Sequence, residues 1–464
     1  MVITTQTTDL IENVLYDDIQ IGDSARLVRT LTLEDIQAFA AVSGDVNPAH
    51  LDTSFANESM FHGIIGHGMW SGSLVSTVLG TQLPGPGTIY LEQSFRFKRP
   101  VRIGDTLTVI VTVLEKHDDK HALVLNCSIS NQQGDEVVSG QARVIAPQNK
   151  IVRPRIGTPK LNVFDPEMRV RQFVESIQVN PPVIAACVHP TSEKTLIAVQ
   201  KMAETGRIKP IVIGPLARIE ALATALHIDL SEFDLRDAKH SHHAAQIAVA
   251  LAEAGEVDML HQGELDKREL LTALYDCVPL KTKTRLSHVL RFDVPLYDKP
   301  LWLTDAVLNH RPTLEDKVDI VQNAIQLVTL FNTPEPRVAL LSAVDTIDPE
   351  YPSTLDAAAL CKMADRKQIY GGRLDGPVAF DQAVSGVSVS GLHGAADILL
   401  APDSESANML AKQLEFFAGA SSAGIVMGAR VPIALTMRQA TSQSLMLSGL
   451  LAAHVAQCYR TQQP

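Results

Sequence analysis

The sequence Leu107-Thr108-Val109-Ile110-Val111-Thr112-Val113 places a branched apolar side chain at every second position. A period of two is typical of a strand with one covered face. The alternation runs through residues 88–146, in the further sets Leu91, Gln93, Phe95, Phe97; Leu123, Leu125, Cys127, Ile129; and Val138, Gly140, Ala142, Val144. Turn residues at 131–135 separate the last two sets. Residues 88–146 are therefore predicted to form an antiparallel sheet that covers a core with one face.

An apolar stretch without charged residues, at positions 69–79, precedes these strands. A helix on the protein surface normally carries charged residues on its outer side. We therefore predict a helix that the sheet wraps, which gives the first part of the chain an α+β fold.

The pattern changes from residue 183 onward, where short apolar runs alternate with helices. The predicted strands are 183–187, 211–213, 338–343, 398–401 and 431–436. Thr191 or Ser192 can cap the first helix of this region, Gly206 can end it, and Pro215 can begin the next helix. This alternation predicts an α/β fold with a mostly parallel sheet between helices. A proline-containing, basic stretch at 148–164 is predicted to link a domain at 1–147 to one at 165–464.

The composition excludes several classes of function. The net charge is −12, and we find no cluster of Lys and Arg of the kind that nucleic acid or a membrane surface would require. The five cysteines are scattered and form no Cys-x-x-Cys pair, so we expect neither a disulfide framework nor a metal site. We expect no signal peptide, because the first residues lack a basic segment followed by an apolar stretch, and we find no apolar run of membrane-spanning length. We expect a cytoplasmic protein with no nucleic-acid or membrane partner.

One segment of the first half contains residues suited to acid–base chemistry. Ser43-Gly44-Asp45-Val46-Asn47-Pro48-Ala49-His50 has turn-forming residues that can bring Asp45 and His50 to one point. A carboxylate and an imidazole that share a water can take its proton and return it elsewhere. The glycine-rich run 63–70 leads into the predicted helix, and its backbone N–H groups could hold a developing enolate oxygen. Asn47 is as well explained by the turn as by chemistry, and His62 and His67 are expected to be packed or exposed histidines without a role.

With Asp52, this segment resembles the signature of the MaoC-like, (R)-specific enoyl-CoA hydratases, and the resemblance covers residues 15–146. It implies a hotdog fold, in which a curved antiparallel sheet wraps one central helix, and a homo-oligomer, usually a dimer. It also implies that Asp45 and His50 hold the attacking water and that the N–H of Gly68 polarises the thioester carbonyl.

Residues 165–464 resemble the phosphate acetyltransferase and phosphate butyryltransferase family, through stretches that include 189–194, 286–289, 304–307, 374–381 and 402–429. The resemblance implies a domain of two α/β subdomains, the second at 306–434, with a cleft between them. It also implies that a Thr-Ser-Arg-x-Asp-Ser segment carries the chemistry. Here the segment is Thr436-Met437-Arg438-Gln439-Ala440-Thr441-Ser442. Arg438 matches and could take phosphate, with Thr441 and Ser442 as neighbouring candidates.

This sequence departs from that family at three positions. Met437 stands in place of Ser and Ala440 in place of Asp, and neither can donate to an oxyanion or accept a proton. Lys281 stands where Arg is expected, so a bidentate grip on phosphate is lost there.

Two main hypotheses follow. The chain is a bifunctional enzyme that hydrates enoyl-CoA and transfers acyl groups between CoA and phosphate, or it is a hydratase whose second half only binds CoA or assembles. A non-catalytic sensor of CoA thioesters is a third hypothesis, which Asp45 and His50 argue against. CoA thioesters are the ligands in all three, phosphate is a further substrate of the acyl transfer, and no cofactor is expected.

Overall fold

The computed structural model describes residues 2–4, 10–157, 166–385 and 395–461. The chain divides after residue 164 into two units, each with its own apolar core.

The first unit is built from a mostly antiparallel sheet and four helices. Its strands are β1 (Val2–Thr4), β2 (Leu10–Glu12), β3 (Ser24–Thr30), β4 (Ile89–Phe97), β5 (Thr106–His117), β6 (Ala122–Ser130), β7 (Glu136–Ile145) and β8 (Val152–Pro154). Its helices are α1 (Leu33–Ser43), α2 (Pro48–Leu51), α3 (Thr53–Glu58) and α4 (Gly68–Thr81), with a 3₁₀ turn at Tyr16–Asp18. Six strands form one sheet in the order β1-β3-β5-β6-β7-β4, and β2 pairs separately with β8.

The predicted helix inside the sheet is α4. Leu74, Val75 and Val78 on α4 pack in one core with residues of β5 and β6. Gly72 allows the close approach, because a Cβ there would lie 2.7 Å from the ring of Phe95 on β4. The α+β hotdog prediction is confirmed.

The edge strand β4 differs from the pattern predicted for it. Leu91 and Phe97 are 44% and 48% exposed, although they belong to the apolar set. The reason is that, among the described residues, β4 lies at the end of the sheet and has β7 as its one pairing partner.

The segment predicted as a linker carries structure in its first part. Residues 152–154 form β8, and the Asn13 side chain bonds to the backbone of Asn149 and Ile151 at 2.8 and 2.9 Å. Residues 158–164 of the predicted linker lie outside the described residues. The domain bounds 1–147 and 165–464 stay predictions.

The second unit is an α/β structure around one eleven-stranded sheet. Its strands are β9 (Val183–Val188), β10 (Ile208–Gly214), β11 (Asp234–Asp237), β12 (Met259–Gln262), β13 (Ser287–Asp293), β14 (Leu301–Thr304), β15 (Arg337–Leu341), β16 (Arg373–Val378), β17 (Ile398–Leu400), β18 (Ser421–Met427) and β19 (Ile433–Ala434). Its helices are α5 (Pro166–Ser176), α6 (Glu193–Glu204), α7 (Leu216–Leu226), α8 (Ser241–Glu253), α9 (Lys267–Asp276), α10 (Leu314–Leu330), α11 (Pro352–Asp365), α12 (Phe380–Ser385), α13 (Ser404–Phe416) and α14 (Ser442–Tyr459), with a 3₁₀ turn at Val278–Leu280.

The sheet consists of two parallel halves that run in opposite directions. The strand order is β11-β10-β9-β12-β19-β18-β13-β14-β17-β15-β16, and the antiparallel neighbours β18 and β13 join the halves. The α/β prediction is confirmed, and the two halves of this sheet correspond to the predicted subdomains except that β19, expected in the second subdomain, lies in the first half. In sequence order the second half begins with β14 at Leu301, ahead of the expected start at 306.

Local signals in the second unit were predicted well. Ser192 caps α6, and Pro215 is the N-cap residue of α7. Asp403 caps α13 through its side chain. In the described ranges, no helix is long and apolar enough to cross a membrane.

Candidate active sites

In the first unit, a turn between α1 and α2 carries the predicted catalytic residues. Gly44 ends α1 with a φ of 75°, a left-handed conformation that glycine adopts without strain. The Asn47 side chain caps α2 by accepting from the Ala49 N–H at 3.1 Å, and Pro48 occupies the first helical position. Asn47 therefore has a structural task in the turn.

The turn brings Asp45 and His50 together, as the sequence predicted. A ring nitrogen of His50 and a carboxylate oxygen of Asp45 lie within 4.8 Å of each other. The Nδ1 of His50 lies 2.8 Å from the carbonyl oxygen of Ile65, which can only accept, so Nδ1 carries the proton. The Nε2 of His50 is then free to accept a proton. Asp45 is exposed, and its carboxylate accepts from the Asn47 N–H at 3.3 Å.

His67 is a third member of this cluster, which the sequence analysis missed. Its side chain is buried, and its Nε2 lies 3.0 Å from the carbonyl oxygen of Asp45. Its ring centroid lies 3.9 Å from that of His50, and a ring nitrogen lies within the same 4.8 Å group. Burial lowers the pKa of His67 below its ordinary value, so the ring is held neutral. The one sequence signal was its position directly before Gly68.

Asp45, His50 and His67 are also the residues to test as metal ligands, because they form the one such group found in the described ranges. The two imidazole rings are tilted by 36° with their centroids 3.9 Å apart, and each has one nitrogen engaged by a backbone carbonyl oxygen. The nitrogen left on each ring is an acceptor that suits a hydrogen-bonded water.

Gly68 is the first residue of α4, so its N–H has no acceptor within the helix. A Cβ at this position would lie 3.3 Å from the ring of Phe97, so the backbone is closely approached there. An N–H at a helix N-terminus can stabilise a negatively charged oxygen.

In the second unit, a cleft of about 790 Å³ contains the segment predicted to carry the chemistry. Thr436, Met437, Arg438 and Ala440 all line it. Arg438 is exposed, whereas Met437 is buried in the apolar core. The serine and the aspartate of the family segment, which this chain lacks, are therefore missing from the lining of the cleft itself.

Cations and helix N-termini gather around the same cleft. Lys194, Lys267 and Arg268 line it together with Arg438, and the first turns of α6, α8 and α9 reach it. Burial lowers the pKa of Lys267, although Asp305 and Asp266 oppose this, and its Nζ donates to the carbonyl oxygen of Val307 at 2.8 Å. Such an arrangement can bind the phosphate groups of an anionic ligand.

Three carboxylates also line the cleft, and two of them have structural partners. Glu264 accepts from the Ser192 hydroxyl at 2.7 Å, and Asp266 caps α9 by accepting from the Arg268 N–H at 2.8 Å. Within the described part of the chain, Oε2 of Glu269 is buried and has no hydrogen-bond partner. Glu269 was not singled out from the sequence, and no sequence pattern marks it.

The structure does not bring the other predicted residues to the lining of this cleft. Thr441 caps α14, since its Oγ1 accepts from the Ser444 N–H at 3.1 Å, and Ser442 is the first helical residue. Lys281 lines a different pocket of about 470 Å³, in which the Oγ1 of Thr282 donates to the carbonyl oxygen of Gly428.

Each half of the chain contains a region that matches a known protein family. Residues 19–128 match the family described as "MaoC like domain", and residues 238–453 match "Phosphate acetyl/butaryl transferase". The phosphate acetyltransferase of Rickettsia felis is 43% identical over 312 residues, which cover 64% of this chain and 89% of that protein.

Two solved structures are similar to parts of this chain. A branched-chain phosphotransacylase from Enterococcus faecalis is 26% identical with a TM-score of 0.51, covering 59% of this chain and 99% of its own. The R-hydratase PhaJ1 from Pseudomonas aeruginosa is 41% identical with a TM-score of 0.33, covering 33% of this chain and 99% of its own. The chain therefore belongs to the phosphate acetyl/butyryltransferase family and carries a MaoC-like domain before the family's α/β unit.

Proposed function

We propose that the first unit hydrates trans-2-enoyl-CoA to an (R)-3-hydroxyacyl-CoA. The convergence of Asp45 and His50 within 4.8 Å of each other carries this proposal. Water adds its oxygen to C3 of the enoyl thioester, and a proton is delivered to C2, so the whole molecule of water is consumed. The two residues share the task of taking one proton from the water and delivering one proton to C2, while the second hydrogen of the water stays in the new hydroxyl group.

Each polar group has a defined task in this reaction. The Nδ1–H of His50 donates to Ile65, which leaves Nε2 as the acceptor of the water proton. The carboxylate of Asp45 orients the water from the exposed turn. The N–H of Gly68, at the start of α4, stabilises the negative charge that develops on the thioester oxygen as the enolate forms.

The hydration of crotonyl-CoA, followed by the loss of the enoyl-thioester absorbance, tests this proposal. Asp45→Asn keeps the size of the side chain and removes its charge, and we expect a loss of about 10²- to 10⁴-fold in kcat. Asp18→Asn is the matched control, since Asp18 lies in the 3₁₀ turn at Tyr16–Asp18 and takes no part in the proposed reaction. Oxidation of the product by an (R)-specific 3-hydroxyacyl-CoA dehydrogenase reports the configuration. Full activity of a folded Asp45→Asn protein would contradict the proposal.

We further propose that the second unit transfers an acyl group between CoA and phosphate in the 790 Å³ cleft. Phosphate oxygen attacks the thioester carbonyl, the C–S bond breaks, and acyl phosphate and CoA are formed. Arg438, Lys194 and Arg268 hold the phosphate groups. In the reverse direction the CoA thiol must lose a proton, and Glu269 is the carboxylate with an unpartnered oxygen that can take it in place of the missing Asp at 440.

A hydratase with a CoA-binding but inactive second unit is the alternative. Met437 and Ala440 favour it, because the lining of the cleft has neither the hydroxyl nor the carboxylate of the family segment. In both cases we propose that the protein is cytoplasmic. We also propose that it is a homo-oligomer, since the edge strand β4 exposes Ile89, Leu91 and Phe97.

Phosphate-dependent release of CoA thiol from acetyl-CoA and butyryl-CoA separates the two possibilities. Transfer predicts release that requires phosphate, falls by about tenfold or more in Arg438→Ala because a charge-assisted contact is lost, and falls similarly in Glu269→Gln. Arg218→Ala, on the outer part of α7 away from the cleft lining, is the matched control. Protein that hydrates crotonyl-CoA but releases no thiol above background would establish the alternative.

A further inference from the structure

We propose that His67 is a positioning residue of the hydration site. Its neutral, Nε2-protonated ring fixes the positions of Asp45 and His50 relative to Gly68. This inference rests on the proposed hydratase function of the first unit.

The hydrogen bond to Asp45 is the first observation that supports it. The Nε2 of His67 lies 3.0 Å from a carbonyl oxygen, so Nε2 carries the proton and donates. Asp45 sits on an exposed turn, where its backbone N–H donates to the Ser43 hydroxyl at 3.2 Å. His67 is only 2% exposed, so this bond ties a surface turn to the core.

The contact between the rings of His67 and His50 is the second observation. The two rings lie 3.9 Å apart between centroids, and Phe39 covers His67 at 5.0 Å. Burial lowers the pKa of His67, and the nearby His50 lowers it further, although the contact with Asp45 opposes both effects. A neutral ring can remain against His50 when that residue takes the water proton, whereas a charged ring would repel it.

The position of His67 in the chain is the third observation. His67 is the N-cap residue of α4, and its carbonyl oxygen accepts from the Trp70 N–H at 3.0 Å. The start of the helix therefore holds the backbone from which the ring projects, directly before Gly68. One side chain thus sets the relative positions of the carboxylate, the imidazole and the oxyanion-binding N–H.

The remaining ring nitrogen has no competing task. Within the described residues, the Nδ1 of His67 is buried and has no hydrogen-bond partner. Since Nε2 donates to Asp45, Nδ1 is the unprotonated nitrogen of the ring, as a neutral imidazole requires.

Two substitutions separate positioning from packing. His67→Phe keeps a ring against His50 and removes the donor, whereas His67→Gln loses the ring and keeps an N–H near the position of Nε2. We expect His67→Phe to lower the kcat for crotonyl-CoA by about 10- to 100-fold with KM within about twofold, because small misplacements of reacting groups are costly. We expect His67→Gln to recover a substantial part of that loss. His117→Phe, at the exposed end of β5, is the matched control.

The outcomes are distinct. Equal kcat values for wild type, His67→Phe and His67→Gln would overturn the positioning role while leaving the hydratase proposal intact, and so would a folded His67→Gln as inactive as His67→Phe. No hydration by the wild-type protein would instead defeat the proposed function itself. Nitrogen-15 NMR of the imidazole rings covers the case of variants that do not fold. It should show His67 in the neutral Nε2–H form at pH 7, and a charged or Nδ1–H ring would overturn the inference.

Discussion

The two candidate sites of this chain have similar backbone scaffolds but different functional side chains. In each, a turn delivers side chains next to the N-terminus of a long helix, α4 in the first unit and α14 in the second. The first turn carries Asp45 and His50 over a buried histidine. The second turn carries Arg438 between Met437 and Ala440. The scaffold of a site can therefore persist when part of its chemistry is absent.

Packing explains why the second turn tolerates the change. Met437 is 6% exposed and belongs to the apolar core of the second unit. A thioether there adds buried apolar surface, whereas a serine hydroxyl would need a hydrogen-bond partner. The stability of the fold therefore does not depend on a hydroxyl at this position, and only catalysis can require one.

The largest effect is expected when the hydroxyl and the carboxylate that the second site lacks are restored. We expect Met437→Ser combined with Ala440→Asp to raise phosphate-dependent CoA release on the order of a hundredfold, because an oxyanion donor and an acid–base partner each contribute about that much or more. The same variant should lose about 2 kcal/mol of unfolding free energy, since a buried methionine is shortened. Thiol release and chemical denaturation measure the two effects.

Met437→Ala combined with Ala440→Asn is the matched control, because it changes the same volumes without supplying a hydroxyl donor or a carboxylate. It should lose the same stability and gain no activity. No gain in the restored variant, with the fold intact, would show that the second site differs from the family's site by more than these two residues.

The sequence predicted the parts of both units that depend on neighbours in the chain. The alternation at Leu107–Val113 and the turn at Asp45 are local patterns, and each was found where expected. His67 and Glu269 escaped prediction because their significance depends on burial and on unpartnered atoms, which arise only when distant segments meet. The exposed faces of β4 escaped for a similar reason, since alternation cannot show whether a strand ends a sheet.

Thr441 shows how a local pattern can support two interpretations. The sequence offered Thr441 and Ser442 as phosphate or CoA ligands, because hydroxyls beside Arg438 suit that chemistry. A threonine just before a helix is equally typical of a cap, and the Oγ1 of Thr441 accepts from the Ser444 N–H at 3.1 Å. The role of Thr441 as a ligand stays a prediction, and the geometry favours the cap.

The smallest expected effect distinguishes these roles for Thr441. Thr441→Ala should lower the unfolding free energy of the second unit by about 1 kcal/mol, because the orphaned N–H groups of α14 lose their cap. Thr441→Ser keeps the cap and should be close to wild type. CoA binding, measured by calorimetry, should be the same in all three proteins, because Thr441 does not line the cleft. Weaker CoA binding in Thr441→Ala without a change in stability would instead make the hydroxyl a ligand and bring α14 into the second site.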